Sequence, residues 1–222
     1  MIEEPEFLTD TRTFYDTIAT DYAEHFRDAM ATRHWDLAVL AAFAAIVRTE
    51  DTGPVADLGC GPGWVTAHLD TLGLPVSGID LSPQMVALAR REHPGVRFDV
   101  GSMLDLDLPD GSLGGIVAWY SIIHTPLERL PELFAAFHRK LAPGGHLLVA
   151  FQAGDEPLHL ARPFGHPVSL DFRRRQPDRM AELLADAGLE VRSRLLREPE
   201  EALGESAPQA YLTARKPAAD AG

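Results

Sequence analysis

The stretch Asp57-Leu-Gly-Cys-Gly-Pro-Gly-Trp64 places Gly59, Gly61 and Gly63 at alternate positions behind a carboxylate. Glycine reaches positive φ without a Cβ penalty, so this spacing suits a very tight turn or a backbone that closely approaches a ligand. A dinucleotide fingerprint would need a further glycine at position 64, where a missing side chain lets the following helix pack on its strand. Trp64 stands there instead, and Asp57 would put negative charge beside a pyrophosphate. A ligand carrying positive charge at this end fits these residues better, and nicotinamide-dependent oxidoreduction is disfavoured. Cys60, the only cysteine, excludes an intrachain disulfide and a cysteine-based metal cluster. It reads as a small packing residue rather than a nucleophile, following the usual burial of free cysteine.

Elements must hold these residues in place, and the hydrophobic pattern supplies them. Phe14, Ile18, Tyr22, Phe26 and Met30 recur at every fourth position, giving an amphipathic helix with Asp21, Glu24 and Arg27 on its other face. A second helical stretch, WDLAVLAAFAAIV, runs into the breaker Asp51-Thr-Gly-Pro, and the core starts there. Short apolar runs then alternate with helices: VADL before Trp64 to Thr71, VSGID before Pro83 to Arg91, VRFDV, GGIVAWY before Leu127 to Leu141, and HLLVAF. Near-continuous apolar strands separated by helices predict a parallel sheet covered on both faces, a doubly wound α/β domain. Ser82 and Pro83 predict an N-cap and first turn. After a last helix, PDRMAELLADAG, the strands LEVRSRLLRE and QAYLTARK are joined by a short polar segment, which predicts an antiparallel pair.

With strand, turn and helix assigned, VADLGCGPGWVTAHL resembles motif I of the class I S-adenosylmethionine-dependent methyltransferases, in a small single-domain bacterial form. VSGIDLSPQMVALAR supplies the acidic end of the second strand, and KLAPGGHLLVAF resembles the family's corner into the fifth strand. YDTIATDY is similar to its amino-terminal lid helix. The match covers roughly residues 14 to 151 and implies S-adenosyl-L-methionine as cofactor and S-adenosyl-L-homocysteine as product. It also implies a Rossmann-like seven-stranded sheet of order 3-2-1-4-5-7-6 with the last strand antiparallel. Under this resemblance Asp57 helps hold the cofactor's ammonium, Gly59, Gly61 and Gly63 admit its methionine portion, and Asp80 accepts from the ribose hydroxyls, with Leu81 beside it. Gly101, Ser102 and Met103 border the adenine. Two departures stand out: many relatives have an aspartate where Ser102 stands and an acidic residue where Gly114 opens the fourth strand.

Methyl transfer from a sulfonium is an in-line displacement in which positive charge disperses, so alignment and a dry pocket matter most. A hydroxyl or protonated amine acceptor also benefits from a base, and His124 follows the fourth strand where one is wanted; the other reading is a hydrogen-bonding structural histidine. Trp119 and Tyr120 either border the methionine portion and the acceptor or fill the strand end. Tyr15 and Tyr22 are substrate-side candidates on the lid helix, with packing the stronger role for Tyr22. Residues 154–176, the least family-like stretch, are expected to cap the acceptor, with Arg162 and Phe164 as contacts. Within them, His159 and His166 lack a third ligand for zinc, and Arg173-Arg174-Arg175 reads as a solvated turn, the alternative being a receiver of an acidic substrate or a tRNA backbone. Asp105, Asp107 and Asp110 read as a solvated loop rather than a metal site.

Acidic residues outnumber basic ones 33 to 20 in 222 residues, and a net charge of −13 opposes binding to nucleic-acid phosphates or anionic lipid. A small-molecule partner follows, with nucleic acid and membrane disfavoured and a monomer or homodimer expected. MIEEPEFLTD has neither a basic start nor an apolar run, so a cytoplasmic location is expected. The expected organisation is lid helices over 1–50, a cofactor-binding core over 51–216, and a disordered tail over 217–222. The expected function is methyl transfer to an O or N atom of a metabolite. The alternatives are a cofactor-binding protein without transfer activity, acting as sensor or assembly partner, and a methyltransferase of protein or tRNA.

Overall fold

The computed structural model describes residues 5–27 and 32–218. Helices α1 (Glu6–Phe26) and α2 (His34–Glu50) precede β1 (Val55–Leu58), α3 (Trp64–Thr71), β2 (Val76–Asp80), α4 (Pro83–Glu92), β3 (Arg97–Val100) and β4 (Leu113–Trp119). There follow α5 (Leu130–Lys140), β5 (Leu141–Gln152), the short strands β6 (Leu158–Ala161) and β7 (Ser169–Phe172), α6 (Pro177–Asp186), β8 (Glu190–Arg197) and β9 (Gln209–Arg215). Seven strands form one sheet in the order β3-β2-β1-β4-β5-β9-β8. Counting only strands of this sheet, that is 3-2-1-4-5-7-6. β9 runs antiparallel to both neighbours, β5 and β8, while the first five strands pair in parallel.

β1 is buried along its whole length, as a central strand covered on both faces must be. One face packs Leu133, Phe134 and Phe137 of α5 and Met180 and Leu184 of α6 against Ile116, Leu147 and Val149. The other packs Leu40, Phe43 and Val47 of α2 and Leu69 of α3 against Val55, Val117 and Leu148. Each such large side chain removed from water contributes about 1.5–3 kcal/mol, so the sheet position is set by both layers together. Gly114 opens β4 against the backbone of Gly53, where a Cβ would lie 2.4 Å from the Gly53 carbonyl oxygen. This crowding is why no acidic side chain stands there.

α1 departs from its expected stripe. Phe14 and Ile18 are buried against Leu170, while Ala19 and Ala23 pack on Met85 and Leu88 of α4. Tyr22 and Phe26 turn toward a cavity and are only half-buried. Met30 and residues 219–222 of the expected tail lie outside the described residues. Asp51 closes α2 in the left-handed conformation at φ 46°, matching the expected breaker. Ser82 caps α4 by accepting from the Met85 N–H at 3.1 Å, with Pro83 in the first turn.

Residues 154–176 hold the antiparallel hairpin β6–β7, which the sequence reading did not anticipate. The arginine triplet that ends this stretch is not a solvated turn. Arg175 is buried and donates to the Thr125 carbonyl at 2.5 Å, Arg173 donates to the His124 carbonyl at 3.0 Å, and Arg174 donates to Ser206 Oγ. Ala153 and Arg175 also form an isolated parallel bridge, which ties the triplet to the residue that follows β5.

Candidate active site

At the carboxyl ends of β1, β2 and β4, beneath α1, lies a cavity of about 410 Å3. Parallel strands end here with their connecting loops, the usual location of a ligand crevice in open α/β sheets. The glycine turn is pinned to β2 by the Gly59 and Cys60 N–H groups, which donate to the Ile79 carbonyl at 2.7 and 3.2 Å. Gly59, Gly61 and Gly63 all adopt positive φ. Their surroundings differ. A Cβ at Gly59 would lie 2.3 Å from Ser121 Cβ, and one at Gly63 would lie 2.8 Å from the Phe98 ring, whereas one at Gly61 would meet nothing within 4 Å. Gly63 therefore packs against Phe98 and does not line the cavity, while Gly59 and Gly61 do.

The collision at Gly59 makes a prediction. Gly59→Ala adds a methyl against Ser121 at a left-handed position, and is expected to lower unfolding stability by about 2–4 kcal/mol. Urea denaturation reads this directly; an unchanged midpoint would mean that the turn is not held against Ser121.

Two carboxylates face the cavity. Asp80 Oδ2 accepts from the Gly61 N–H at 2.7 Å and Oδ1 from the Ser82 N–H at 2.8 Å, leaving each oxygen a second acceptor site. Burial pushes its carboxyl up to about 6 against the opposing effect of those two N–H groups. Asp57 is fully buried; Oδ2 accepts from Thr66 Oγ1 at 2.7 Å, and Oδ1 has no hydrogen-bond partner among the described residues. Burial pushes Asp57 up to about 7, with the neighbouring Asp80 adding to the rise. An orphaned buried carboxylate oxygen on a residue that lines the cavity suits a cationic group. Burial likewise raises the Cys60 thiol well above its ordinary range, so it stays protonated, packed with Val86, Ala89 and Phe98.

Leu81, Gly101, Ser102, Met103 and Trp119 also line the cavity, as do Tyr15, Tyr22, Tyr120 and His124. Ser102 Oγ accepts from the Leu104 N–H at 3.2 Å, which leaves its own O–H free to donate. Trp64 stacks on Tyr22 at 6.2 Å with 13° between planes, so α1 closes directly over the helix that follows the glycine turn. Tyr120 ends β4 at φ 52°, a left-handed conformation that is unusual for an aromatic residue and common at working sites. Its hydroxyl donates to Tyr211, which in turn donates to the buried Asp36.

His124 is buried, and its ring joins two elements. Nδ1 lies 3.2 Å from the Asp171 carbonyl, which can only accept, so Nδ1 carries the proton. Nε2 therefore accepts from Tyr15 Oη at 2.9 Å. Burial pushes the imidazole down to about 4, offset in part by the Asp171 carbonyl and deepened by Arg173 and Arg175, so the ring is neutral near pH 7. Tyr15 is raised well above its ordinary value, chiefly by burial, and keeps its proton. A neutral imidazole whose lone pair accepts from Tyr15 can take that proton when Tyr15 receives another within the cavity.

Arg162 and Phe164 are not brought to this site. Both are exposed and adopt positive φ in the turn between β6 and β7, where Phe164 packs edge-on against His25. The hairpin contributes Leu158 and Phe172 to the cavity instead. His159 and His166 bind separate carboxylates, Asp171 and Asp21, and Asp110 pairs with Lys140. Missed by the sequence reading were Phe7, Leu8 and Thr11 of α1, Ser121 under Gly59, and Arg33, which pairs with Glu205 at 3.1 Å. The α1 residues follow the helical period back from Tyr15 and were legible in principle; the Arg33 pair, joining distant segments, carries no sequence signal.

A family model described as a methyltransferase domain matches residues 55–145, from β1 into β5. The chain is 28% identical over 137 residues to a demethylmenaquinone methyltransferase of Chlorobaculum parvum, covering 60% of this chain and 56% of that one. It is 36% identical over 114 residues to trans-aconitate 2-methyltransferase of Rhizobium meliloti, covering 49% and 42%. Thus it spans about half the length of the curated relatives it matches. The magnesium protoporphyrin IX methyltransferase of Synechocystis, solved with S-adenosylmethionine bound, shares the fold with a TM-score of 0.71 at 16% identity, over 97% of this chain and 100% of that one.

Proposed function

Because the chain belongs to the class I S-adenosylmethionine-dependent methyltransferases, we propose that it transfers a methyl group to a hydroxyl or amine of a small molecule held between α1 and the β6–β7 hairpin. The observation that carries this reading is the pair of carboxylates at the ends of β1 and β2 that line one cavity with Gly61, Asp57 with an orphaned oxygen and Asp80 with spare acceptor sites. S-adenosylmethionine supplies, when bound, a methyl on a sulfonium that leaves as a neutral thioether. Asp80 accepts from the ribose hydroxyls, Asp57 faces the ammonium, and Gly61 lets the backbone approach. Gly101, Ser102 and Met103 border the adenine, and Leu81 and Trp119 contribute walls.

On the acceptor side, Phe7, Leu8, Tyr15, Ile123, Leu158 and Phe172 make an apolar wall that excludes water. The Tyr15–His124 pair is the polar feature at which an acceptor hydroxyl or amine can lose its proton to Tyr15 Oη as Tyr15 passes its own proton to Nε2. α1 acts as a lid and residues 154–176 as the cap, whereas α2, expected as part of the lid, packs on the sheet. The net charge of −13 supports a metabolite over a tRNA, and a cytoplasmic monomer or homodimer fits it. Among the described residues, no helix is long and apolar enough to cross a membrane. Turnover on a metabolite panel separates this reading from a sensor: both predict adenosylhomocysteine binding, but only a transferase releases methylated product.

The raised carboxylates give the binding a pH dependence with a definite sign. In the ligand-free protein, a carboxyl raised to about 6 favours the fold below about pH 4, and that contribution is lost as pH climbs through 6. A ligand that needs Asp80 and Asp57 ionised reverses the preference. Adenosylhomocysteine affinity is therefore expected to rise from pH 5 to pH 8, by at most about tenfold per pH unit for each ionising carboxylate, with proton release near neutral pH. Calorimetry in buffers of different ionisation enthalpy checks this; affinity that stays flat over that range would detach both carboxylates from the ligand.

A further inference from the structure

The main cavity has a neighbour. A second cavity of about 210 Å3 adjoins it, and Phe7, Thr11 and His124 line both, so the imidazole stands at their junction. Arg173, His159 and Ser169 face the second cavity.

Arg173 is an unusual neighbour for a base. Its main-chain N–H donates to the Ile123 carbonyl at 3.1 Å and Nη1 to the His124 carbonyl at 3.0 Å, which fixes the guanidinium beside the imidazole. Among the described residues, no carboxylate lies within ion-pair distance of it. Asp171, which also lines this cavity, is engaged by His159 Nδ1 at 2.7 Å, and Asp10 is exposed. Two residues on, Arg175 is buried with its charge on the Thr125 carbonyl, its Nε unpartnered, and again no carboxylate within ion-pair distance among the described residues. Two guanidinium groups thus flank the His124–Thr125 backbone without a direct ion pair among the described residues, Glu128 acting on Arg175 only from beyond that distance. Partly desolvated cations are ordinarily compensated, and the planar guanidinium fork matches a carboxylate in two-point geometry. The Ser169 hydroxyl adds a donor on the same wall, while Thr11 gives its own O–H to the Phe7 carbonyl at 2.7 Å.

Resting on the methyltransferase reading above, we propose that the acceptor carries a carboxylate that seats against Arg173 in the second cavity, while its methyl-accepting group lies beside His124 in the main one. The arrangement makes Arg173 a specificity residue. It also links recognition to chemistry: Arg173 and Arg175 both depress the imidazole, and a bound carboxylate offsets their field, so His124 is a stronger base with this acceptor in place.

The test uses the full chain saturated with adenosylhomocysteine and three probes, 4-hydroxybenzoate, phenylacetate and 3-(4-hydroxyphenyl)propionate, each against its primary amide. At least one carboxylate is expected to bind about tenfold or more tightly than its amide, the scale of a charge-assisted hydrogen bond. Arg173→Gln is expected to erase that preference and Arg173→Lys to retain part of it, both keeping wild-type affinity for adenosylhomocysteine. Carboxylates no tighter than their amides in the wild type, or a preference that survives Arg173→Gln, would overturn the subsite. Should the variants not fold, ring-nitrogen spectra of wild-type His124 decide: the preferred carboxylate must raise its titration midpoint relative to the amide, against the fixed background of Tyr15, the Asp171 carbonyl, Arg173 and Arg175. Failure of the wild type to bind adenosylhomocysteine at all would instead remove the methyltransferase reading itself.

Discussion

Asp80→Ala is expected to weaken adenosylhomocysteine binding roughly 10- to 150-fold, about 1.5–3 kcal/mol, with the upper end favoured by the structure. The carboxylate does two things at once. Its spare acceptor sites are offered to the ribose, and its two occupied ones hold the Gly61 and Ser82 N–H groups at 2.7 and 2.8 Å. Removing it releases the Gly61 and Ser82 N–H groups as well as deleting the ligand contact, while the Gly59 and Cys60 bonds to the Ile79 carbonyl remain. Asp80→Asn separates the two contributions, since an amide oxygen can still accept from one N–H while the charge is gone. Both variants are expected to lose affinity, Asp80→Ala more. Calorimetry with unchanged affinity in Asp80→Ala would refute the ribose assignment.

His124→Ala is expected to lower turnover about 100- to 10,000-fold, the range of a positioned general base, with adenosylhomocysteine affinity nearly intact. Tyr15→Phe keeps the ring that packs edge-on against Phe14 and Tyr22 but removes the donor to Nε2. It is expected to cost less in turnover than His124→Ala, because the imidazole lone pair survives. With the imidazole pushed down to about 4, the base form predominates above that value. Activity dependent on it is accordingly lost as pH falls through about 4, not near the ordinary histidine value. Turnover in His124→Ala equal to wild type would return the residue to a structural role, holding α1 through Tyr15 and β7 through the Asp171 carbonyl.

The parts of the fold legible in the sequence are those whose signal is local. VADL, VSGID and GGIVAWY are apolar runs that only a two-sided sheet can bury, and Ser82-Pro83 is a capping pair that acts within one turn. Asp57, Gly59, Gly61 and Asp80 were legible because their spacing matches the ends of two adjacent strands. The β6–β7 hairpin was not, since its strands are only four residues long, are joined by a segment containing Pro163, Gly165 and Pro167, and are held by packing of Leu170 and Phe172 on Phe14 of α1. The turn at its tip swings Arg162 and Phe164 outward and leaves Leu158 and Phe172 to face the cavity. Three consecutive arginines carry a surface signature, yet carbonyls at Ile123, His124 and Thr125 draw the chain beneath them. Nothing in the sequence joins Asp36, which precedes the core, to Tyr211 on its last strand; only the sheet order brings them together.

Crystallography of the protein with adenosylhomocysteine tests the central claim most directly. The account predicts both ribose hydroxyl oxygens within about 3 Å of the Asp80 carboxylate and the ligand ammonium facing Asp57 above Gly61. A nucleoside bound elsewhere, or a cleft kept shut by the stacked Tyr22 and Trp64 rings, would contradict it.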